Sequence, residues 1–230
     1  MELHFLGCGS AYNPQQKNTS AYCILQNDLI LFDCGETVFE TLYSKGLLEG
    51  AQSVVILITH FHSDHIGSLG SMISYCHCRL KKQVYLLYPS DNICSLLEQM
   101  GLPRSFYRYT PVFPALPSAS VCVQPVAVQH DPGIACYGYL IERDDMRVFY
   151  GGDSCQIPEP ILTMLLNGRL HRVYQDMTYE AADPVRSHGS LEELSRQVPP
   201  AERKKVYAMH FDHDFSARIL DAGFSVVCPE

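Results

Sequence analysis

A strand buried on both faces that runs straight into a cluster of histidines sets the terms for this chain. The segment Ser53–Ile58 contains the unbroken apolar run Val54-Val55-Ile56-Leu57-Ile58, the pattern of a strand covered on both sides. Directly after it stands Thr59-His60-Phe61-His62-Ser63-Asp64-His65, an H-x-H-x-D-H motif. On an α-helix His60 and His62 would lie about 200° apart, so one helical face cannot present the set. A loop leaving a strand can turn all four side chains into one cleft, with Asp64 opening the next helix. His60 with His62, and Asp64 with His65, then offer two ligands to each of two adjacent metal ions.

Four ligands cannot complete two sites of four or five ligands each, so further His and Asp are expected at other strand ends. His130 ends the strand-like run Val121–Gln129 and precedes the turn Asp131-Pro132-Gly133. Asp153 follows Val148-Phe149-Tyr150-Gly151-Gly152, a strand leading into a glycine turn, and His210 follows Val206-Tyr207-Ala208-Met209. Among the other histidines, His4 falls on a strand, His77 in a helix, His171 in a loop, and His213 near His210 as a supporting or solvated residue.

The 230 residues are 47% apolar and 18% charged, which fits one globular domain over residues 1–230 and argues against disorder. With 17 Lys+Arg against 25 Asp+Glu the formal charge is −8, which disfavours a dedicated nucleic-acid binder. No apolar run reaches the roughly 18 residues of a membrane span, and the N-terminus lacks the basic and apolar regions of a signal peptide, so the expected location is cytoplasmic. The ten cysteines are spread along the chain, several inside apolar strand-like runs, and no C-x-x-C occurs. They read as buried thiols; Cys76-His77-Cys78 is too small a ligand set for a metal site and reads as a helix surface or core edge.

Strand-like and helical stretches alternate throughout. Glu2–Leu6, Ala21–Gln26, Leu29–Asp33, Ser53–Ile58 and Gln83–Leu87 read as strands, with helices at Val38–Lys45, Asp64–Arg79 and Asp91–Met100. Pro103–Pro125, with five prolines and Phe106, Tyr107, Tyr109 and Phe113, reads as an extended loop, either an aromatic lid or a self-packed crossover. The second half repeats the pattern, with strands at Val121–Val128, Gly138–Glu142, Arg147–Tyr150, Arg172–Asp176, Val206–Met209 and Phe224–Cys228. Its helices are Glu159–Asn167, Ser190–Gln197 (Ser190 and Glu193 forming a capping box) and Ser216–Ala222. Two β-rich halves with helices predict an α/β protein, a four-layer αββα sandwich.

With its ligand motif and strand-end residues the chain closely resembles the metallo-β-lactamase superfamily, over nearly its whole length. The branch it resembles most contains ribonuclease Z and the phosphoribosyl cyclic phosphodiesterases. Leu6-Gly7-Cys8-Gly9-Ser10-Ala11 and Asn18-Thr19-Ser20-Ala21-Tyr22 look like that branch's glycine-rich start. Phe32-Asp33-Cys34-Gly35-Glu36 is similar to its first Asp motif, whose Asp supports the metal loop. The resemblance implies that His60, His62 and His130 hold one metal, that Asp64, His65 and His210 hold the other, and that Asp153 bridges them. It also implies a proton-transfer pair, Asp176 in Gln175-Asp176-Met177-Thr178-Tyr179 with His188 in His188-Gly189-Ser190, and so catalytic roles for Asp64, Asp176 and His188.

The implied function is a binuclear hydrolase, a phosphodiesterase for a small cyclic phosphate or nucleotide-type diester. It would carry two Zn²⁺ per chain, with Mn²⁺ or Fe²⁺ as alternatives. The partner is then a small-molecule phosphodiester; no membrane is involved, and a homodimer is compatible with the sequence. Three other readings stand beside it. A tRNA 3′-end endonuclease is disfavoured by the −8 charge and by the lack of ribonuclease Z's long Gly/Pro-rich arm. A thioester or lactone hydrolase is disfavoured by the Asp176–His188 pair. A metal-binding sensor without turnover is disfavoured by the completeness of the seven-ligand set.

Overall fold

The computed structural model describes residues 2–114, 121–179 and 187–229. The chain forms two compact units, Met1–Gly7 with Lys17–Ser120 and Glu230, and Cys8–Gln16 with Val121–Pro229. The first unit carries a six-stranded sheet in chain order: β1 (His4–Gly7), β2 (Ser20–Leu25), β3 (Asp28–Phe32), β4 (Ser53–Leu57), β5 (Gln83–Leu87) and β6 (Arg108–Thr110). β1, β2 and β3 pair antiparallel, and β3 to β6 pair parallel. Every residue of β4 is buried, as the unbroken apolar run predicts.

Helices make the parallel crossovers. α1 (Val38–Ser44) and α2 (Leu47–Gly50) join β3 to β4; α3 (Ser63–Ile66) and α4 (Leu69–Tyr75) join β4 to β5; α5 (Asn92–Gln99) joins β5 to β6. α5 buries Ile93, Cys94 and Leu97, the spacing of one helical face.

The second unit repeats this plan. Its six-stranded sheet contains β7 (Val121–Val128), β8 (Cys136–Arg143), β9 (Met146–Tyr150), β10 (Arg172–Asp176), β11 (Val206–Met209) and β12 (Ser225–Val226). β7, β8 and β9 pair antiparallel; β9 to β12 pair parallel, with α6 (Glu159–Leu166), α7 (Leu191–Gln197) and α8 (Ser216–Asp221) as crossovers. Ser190 caps α7, its hydroxyl accepting from the Glu193 amide at 3.2 Å, so that half of the expected capping box is in place.

Parallel pairing decides where functional groups can gather. β3 and β4 run the same way, so the residues after each emerge at one sheet edge. In the second sheet β7 runs with β9, being two antiparallel steps away, so the ends of β7, β9, β10 and β11 share an edge. This is the carboxyl edge at which open α/β sheets place their ligands.

Three expectations need correction. The helix expected over Asp64–Arg79 is broken into α3, α4 and a π-helical turn at Cys76–Leu80. The break falls at Gly67 and Ser68, where close packing interrupts it: a Cβ on Gly67 would stand 2.5 Å from both the Glu36 Cγ and the Ser63 oxygen. Pro103–Pro125 is not one extended loop. It holds a 3₁₀ turn at Arg104–Phe106, the strand β6, and the start of β7, whose exposed Pro125 sits on an edge strand that needs no amide donor there; residues 115–120 of this stretch lie outside the described residues. The last strand is shorter than Phe224–Cys228 and starts at Ser225. The short helix α2 has no counterpart among the sequence expectations.

All ten cysteines are free thiols, seven of them buried, as their apolar settings predict. In the C-H-C segment Cys76 is buried, Cys78 is exposed and the His77 ring stacks on Phe106 at 4.3 Å.

Candidate metal centre

In the first unit the loop after β4 brings His60, His62, Asp64 and His65 together, all buried except the half-buried His62. His60 Nε2 lies 3.0 Å from His62 Nδ1, and His65 Nε2 lies 3.4 Å from Asp64 Oδ2. The rings of His60 and His65 are 4.1 Å apart. The loop is held from behind by Asp33, at the end of β3. Its carboxylate accepts from the Thr59 amide at 2.8 Å, the Thr59 hydroxyl at 2.9 Å and His65 Nδ1 at 2.9 Å. With Nδ1–H given to Asp33, His65 presents Nε2 as its lone-pair nitrogen, the tautomer a metal ligand needs.

Burial pushes the Asp33 carboxyl above its ordinary value, while His65 and Thr59 pull it back down. Asp33 thus acts as the expected support of the metal loop. Thr59 is a contributor the sequence reading did not assign; its hydroxyl also lies 3.0 Å from His60 Nδ1. Only its place, between a buried strand and the first histidine, could have marked it.

The Asp33 loop is pressed against the histidine loop, backbone to backbone. Cys34 N donates to the His65 oxygen at 2.7 Å, and a Cβ on Gly35 would fall 1.9 Å from the Asp64 oxygen. Gly35→Ala is therefore expected to cost about 1–3 kcal/mol through overpacking and to lower metal occupancy. Urea unfolding with elemental analysis checks this; unchanged stability and occupancy would mean that the two loops can part freely.

In the second unit His130, Asp153, Asp176, His188 and His210 gather at the shared edge. His130 Nδ1 donates to the Ser187 oxygen at 2.7 Å, which leaves Nε2 facing Asp153 Oδ2 at 3.7 Å. His210 Nε2 lies 3.3 Å from the same Asp153 oxygen. Asp153 thus stands between two imidazoles. Gln175 steadies the turn that carries it, its amide donating to the Ser154 oxygen at 2.7 Å.

Asp33 (φ 62°) and His210 (φ 63°) both take the left-handed conformation at strand ends. Asp and His tolerate it better than most residues, and such conformations concentrate at functional sites.

His188 Nδ1 lies 2.6 Å from Asp176 Oδ2, and its ring stacks on His210 with centroids 5.2 Å apart. A carboxylate can only accept here, so Nδ1–H donates and the imidazolium form carries its second proton on Nε2. Burial lowers the affinity of His188 for that proton, but Asp176 and Asp153 outweigh it and push the pKa up to about 9. For metal-free protein the sign follows directly. The folded value exceeds the unfolded 6.5, so the pair's stabilisation is whole below pH 6.5 and is lost as pH rises through about 9. Melting temperatures of chelator-treated wild type and His188→Gln should diverge below that range and converge above it; parallel curves would contradict the pairing.

The donor chemistry fits divalent metal ions. Asp153, Asp176, His188 and His210 place ligand-type atoms within 4.8 Å of one another, three of the four residues being buried. The first unit offers three buried imidazole or carboxylate groups and one half-buried imidazole. Buried clusters of this kind are costly unless a cation or a proton joins them. The remaining histidines are elsewhere: His4 against Tyr22, His171 accepting from the Arg147 amide, and His213 beside Asp212.

Solved structures share this architecture. The metallo-β-lactamase fold protein YhfI from Bacillus subtilis matches with TM-score 0.75 at 14% identity, over 98% of this chain and 94% of that one. The short form of human tRNase Z matches with TM-score 0.72 at 18% identity, over 100% and 96%. A diphosphatase from the PhnP family matches with TM-score 0.71 at 19% identity, over 99% and 94%. The α/β fold expected from the sequence, the metallo-β-lactamase fold, is borne out. Among curated proteins, the anti-Pycsar protein Apyc1 of Saccharibacillus brassicae is 27% identical over 92% of this chain and 90% of its own. The family profile for the anti-Pycsar protein Apyc1 matches residues 1–227. This chain belongs to the Apyc1 family of anti-Pycsar proteins.

Proposed function

We propose that this metal-dependent hydrolase is a phosphodiesterase acting on a small cyclic phosphate or nucleotide-type diester, with residues 1–230 working as one domain in the cytoplasm. The observation that carries the reading is the His188–Asp176 pair, at 2.6 Å, on the same sheet edge as Asp153 and His210. Ester hydrolysis at phosphorus expels an alkoxide, a poor leaving group unless a proton reaches it. A thioester expels a less basic thiolate and makes a smaller demand on such a donor, so the pair favours the phosphodiester over that reading.

In this reading His60, His62 and His130 ligate one divalent cation, Asp64, His65 and His210 the other, and Asp153 both. The assignment rests on the superfamily resemblance and on the donor chemistry of each cluster. Bound cations supply a nucleophile from water at neutral pH and offset charge on the phosphoryl oxygens. Zn²⁺ is the ion proposed, from the imidazole-rich donor set. The chain's own groups do the rest. Asp33, through Thr59 and His65, and Ser187, through His130, fix which ring nitrogens face the site. Asp176 takes the Nδ1–H of His188, so the proton that the imidazolium form carries on Nε2 is the one that can be given to the departing oxygen.

Seven ligands imply about two metal equivalents per chain. Elemental analysis after reconstitution that finds one equivalent or fewer would remove the binuclear assignment. A substrate panel tests the activity: bis(p-nitrophenyl) phosphate, nucleoside cyclic phosphates, cyclic ribose phosphates, a precursor tRNA, a thioester and a lactone. Turnover of the cyclic phosphates is expected; turnover of the thioester or lactone alone would overturn the phosphodiesterase reading. Among the alternatives, the tRNA endonuclease has the fold of tRNase Z in its favour and the −8 charge against it.

A further inference from the structure

Asp176 stands where one carboxylate can serve two histidines. β10 and β11 run parallel with Asp176 beside Met209, so His210 opens the loop one residue past that pair. The Met177 amide donates to the Met209 oxygen at 3.0 Å, which carries the pairing beyond the end of β10. Asp176 is wholly buried there.

Its two oxygens are used unequally. Oδ2 accepts from His188 Nδ1 at 2.6 Å and from the Ser154 amide at 3.2 Å. Oδ1 is just as buried, yet among the described residues it takes no hydrogen bond. It lies 3.7 Å from His210 Nδ1, about 0.8 Å beyond an ordinary N–H···O bond. A buried carboxylate oxygen without a donor is costly, so a small movement that brings a donor onto it is favoured. The other nitrogen of the same ring, Nε2, faces Asp153 Oδ2 at 3.3 Å. His210 therefore turns one nitrogen toward the metal cluster and the other toward Asp176.

We propose that Asp176 is a positioning residue for the metal ligand His210 as well as for His188, with Oδ1 accepting from His210 Nδ1–H and Oδ2 from His188. The inference deepens the proposed reading of the site and rests on its assignment of His210 as a ligand. An imidazole that gives Nε2 to a cation keeps its proton on Nδ1, and that N–H needs an acceptor. Asp33 fills this place for His65 at 2.9 Å, and the Ser187 oxygen fills it for His130 at 2.7 Å. A carboxylate in this place also makes the ligating nitrogen more basic, which strengthens its hold on the cation. Asp176 then ties the proton donor to the metal site. Changing it alters both, whereas changing His188 alters the donor alone.

The test is a competition titration with a chromogenic zinc chelator, without substrate, on wild type, Asp176→Asn and His188→Gln. Asp176→Asn is expected to weaken zinc affinity by about 10- to 100-fold while filling the wild-type number of sites at saturation. His188→Gln should bind zinc as wild type does. Wild-type affinity in Asp176→Asn would overturn the proposal. So would an equal weakening in His188→Gln, which would route the effect through that ring, or a site lost at saturation in Asp176→Asn, which would make Asp176 a ligand. The Nδ1–H resonance of His210 in zinc-loaded protein labelled with nitrogen-15 histidine gives a reading that a general loss of stability does not produce. It should move upfield in Asp176→Asn while the His65 Nδ1–H, held by Asp33, stays in place; an unmoved His210 resonance would overturn the proposal. Neither measurement uses a substrate. If wild type hydrolyses no phosphodiester while both results hold, the phosphodiesterase reading fails and the link between Asp176 and His210 stands.

Discussion

Asp153→Ala is expected to lose both metal occupancy and turnover, by more than the roughly 10–100-fold that removal of an outer partner of a metal ligand costs. The reason is positional. Asp153 Oδ2 lies 3.7 Å from His130 Nε2 and 3.3 Å from His210 Nε2, so one carboxylate serves two imidazoles assigned to different metals. Its removal leaves buried histidines converging on a cation that no anion offsets, a costly arrangement in a dry site. His213→Ala is the matched control for occupancy, because His213 is exposed and paired with Asp212 rather than with the cluster. Elemental analysis and a steady-state assay on the two variants decide the matter. Asp153→Ala protein with two metals and near-full turnover would show the bridging assignment to be wrong.

The second large effect separates proton transfer from metal binding. On the proposed ligand set, which does not include it, His188→Ala should keep its metal, yet lose about 10²–10⁴-fold in turnover of a substrate with an alkoxide leaving group. A p-nitrophenolate leaves with little need of a proton, so the same protein sample should lose far less on the activated ester. The comparison cancels damage to folding. Equal losses on the two substrates would make His188 a binding or structural residue, and loss of a metal would make it a ligand and redraw the set. Asp176→Asn should resemble His188→Ala in direction, because the amide cannot hold the imidazolium as the carboxylate does.

The legibility of this chain from its sequence followed the strength of local constraints. The buried run Val54–Ile58 and the clustering of His60, His62, Asp64 and His65 after it were readable because alternation fails over the strand and helical spacing fails over the motif. His130, Asp153 and His210 were readable because each follows an apolar run and two of them sit at recognisable turns. The α/β fold class came from the alternation of strand-like and helical stretches and is shared by the solved structures.

What escaped depends on contacts between distant parts of the chain. The break between α3 and α4 is imposed by the loop after β3, through Ser68, whose hydroxyl takes the Phe39 amide and donates to the Gly35 oxygen. Composition near Asp64 carries no trace of it. The Ser187 oxygen that orients His130 is 57 residues away in sequence, and the Gln175 contact to Ser154 is 21 away. The approach of Asp176 to His210 joins two strand ends that only the parallel pairing of β10 and β11 brings side by side. The proline-rich stretch misled because Pro103 precedes a 3₁₀ turn and Pro125 sits on an edge strand, places where a missing amide costs little.

In the proposed reaction this chain uses water, bound metal and a protonated His188 to cleave a phosphodiester at phosphorus. Phosphorus NMR of a nucleoside cyclic phosphate turned over by metal-loaded protein in oxygen-18 water tests it most directly. The expected product is a phosphomonoester carrying one oxygen-18 on phosphorus, with the reaction abolished by a chelator and restored by Zn²⁺. A product without the label on phosphorus, or turnover that survives complete removal of the metal, would contradict it.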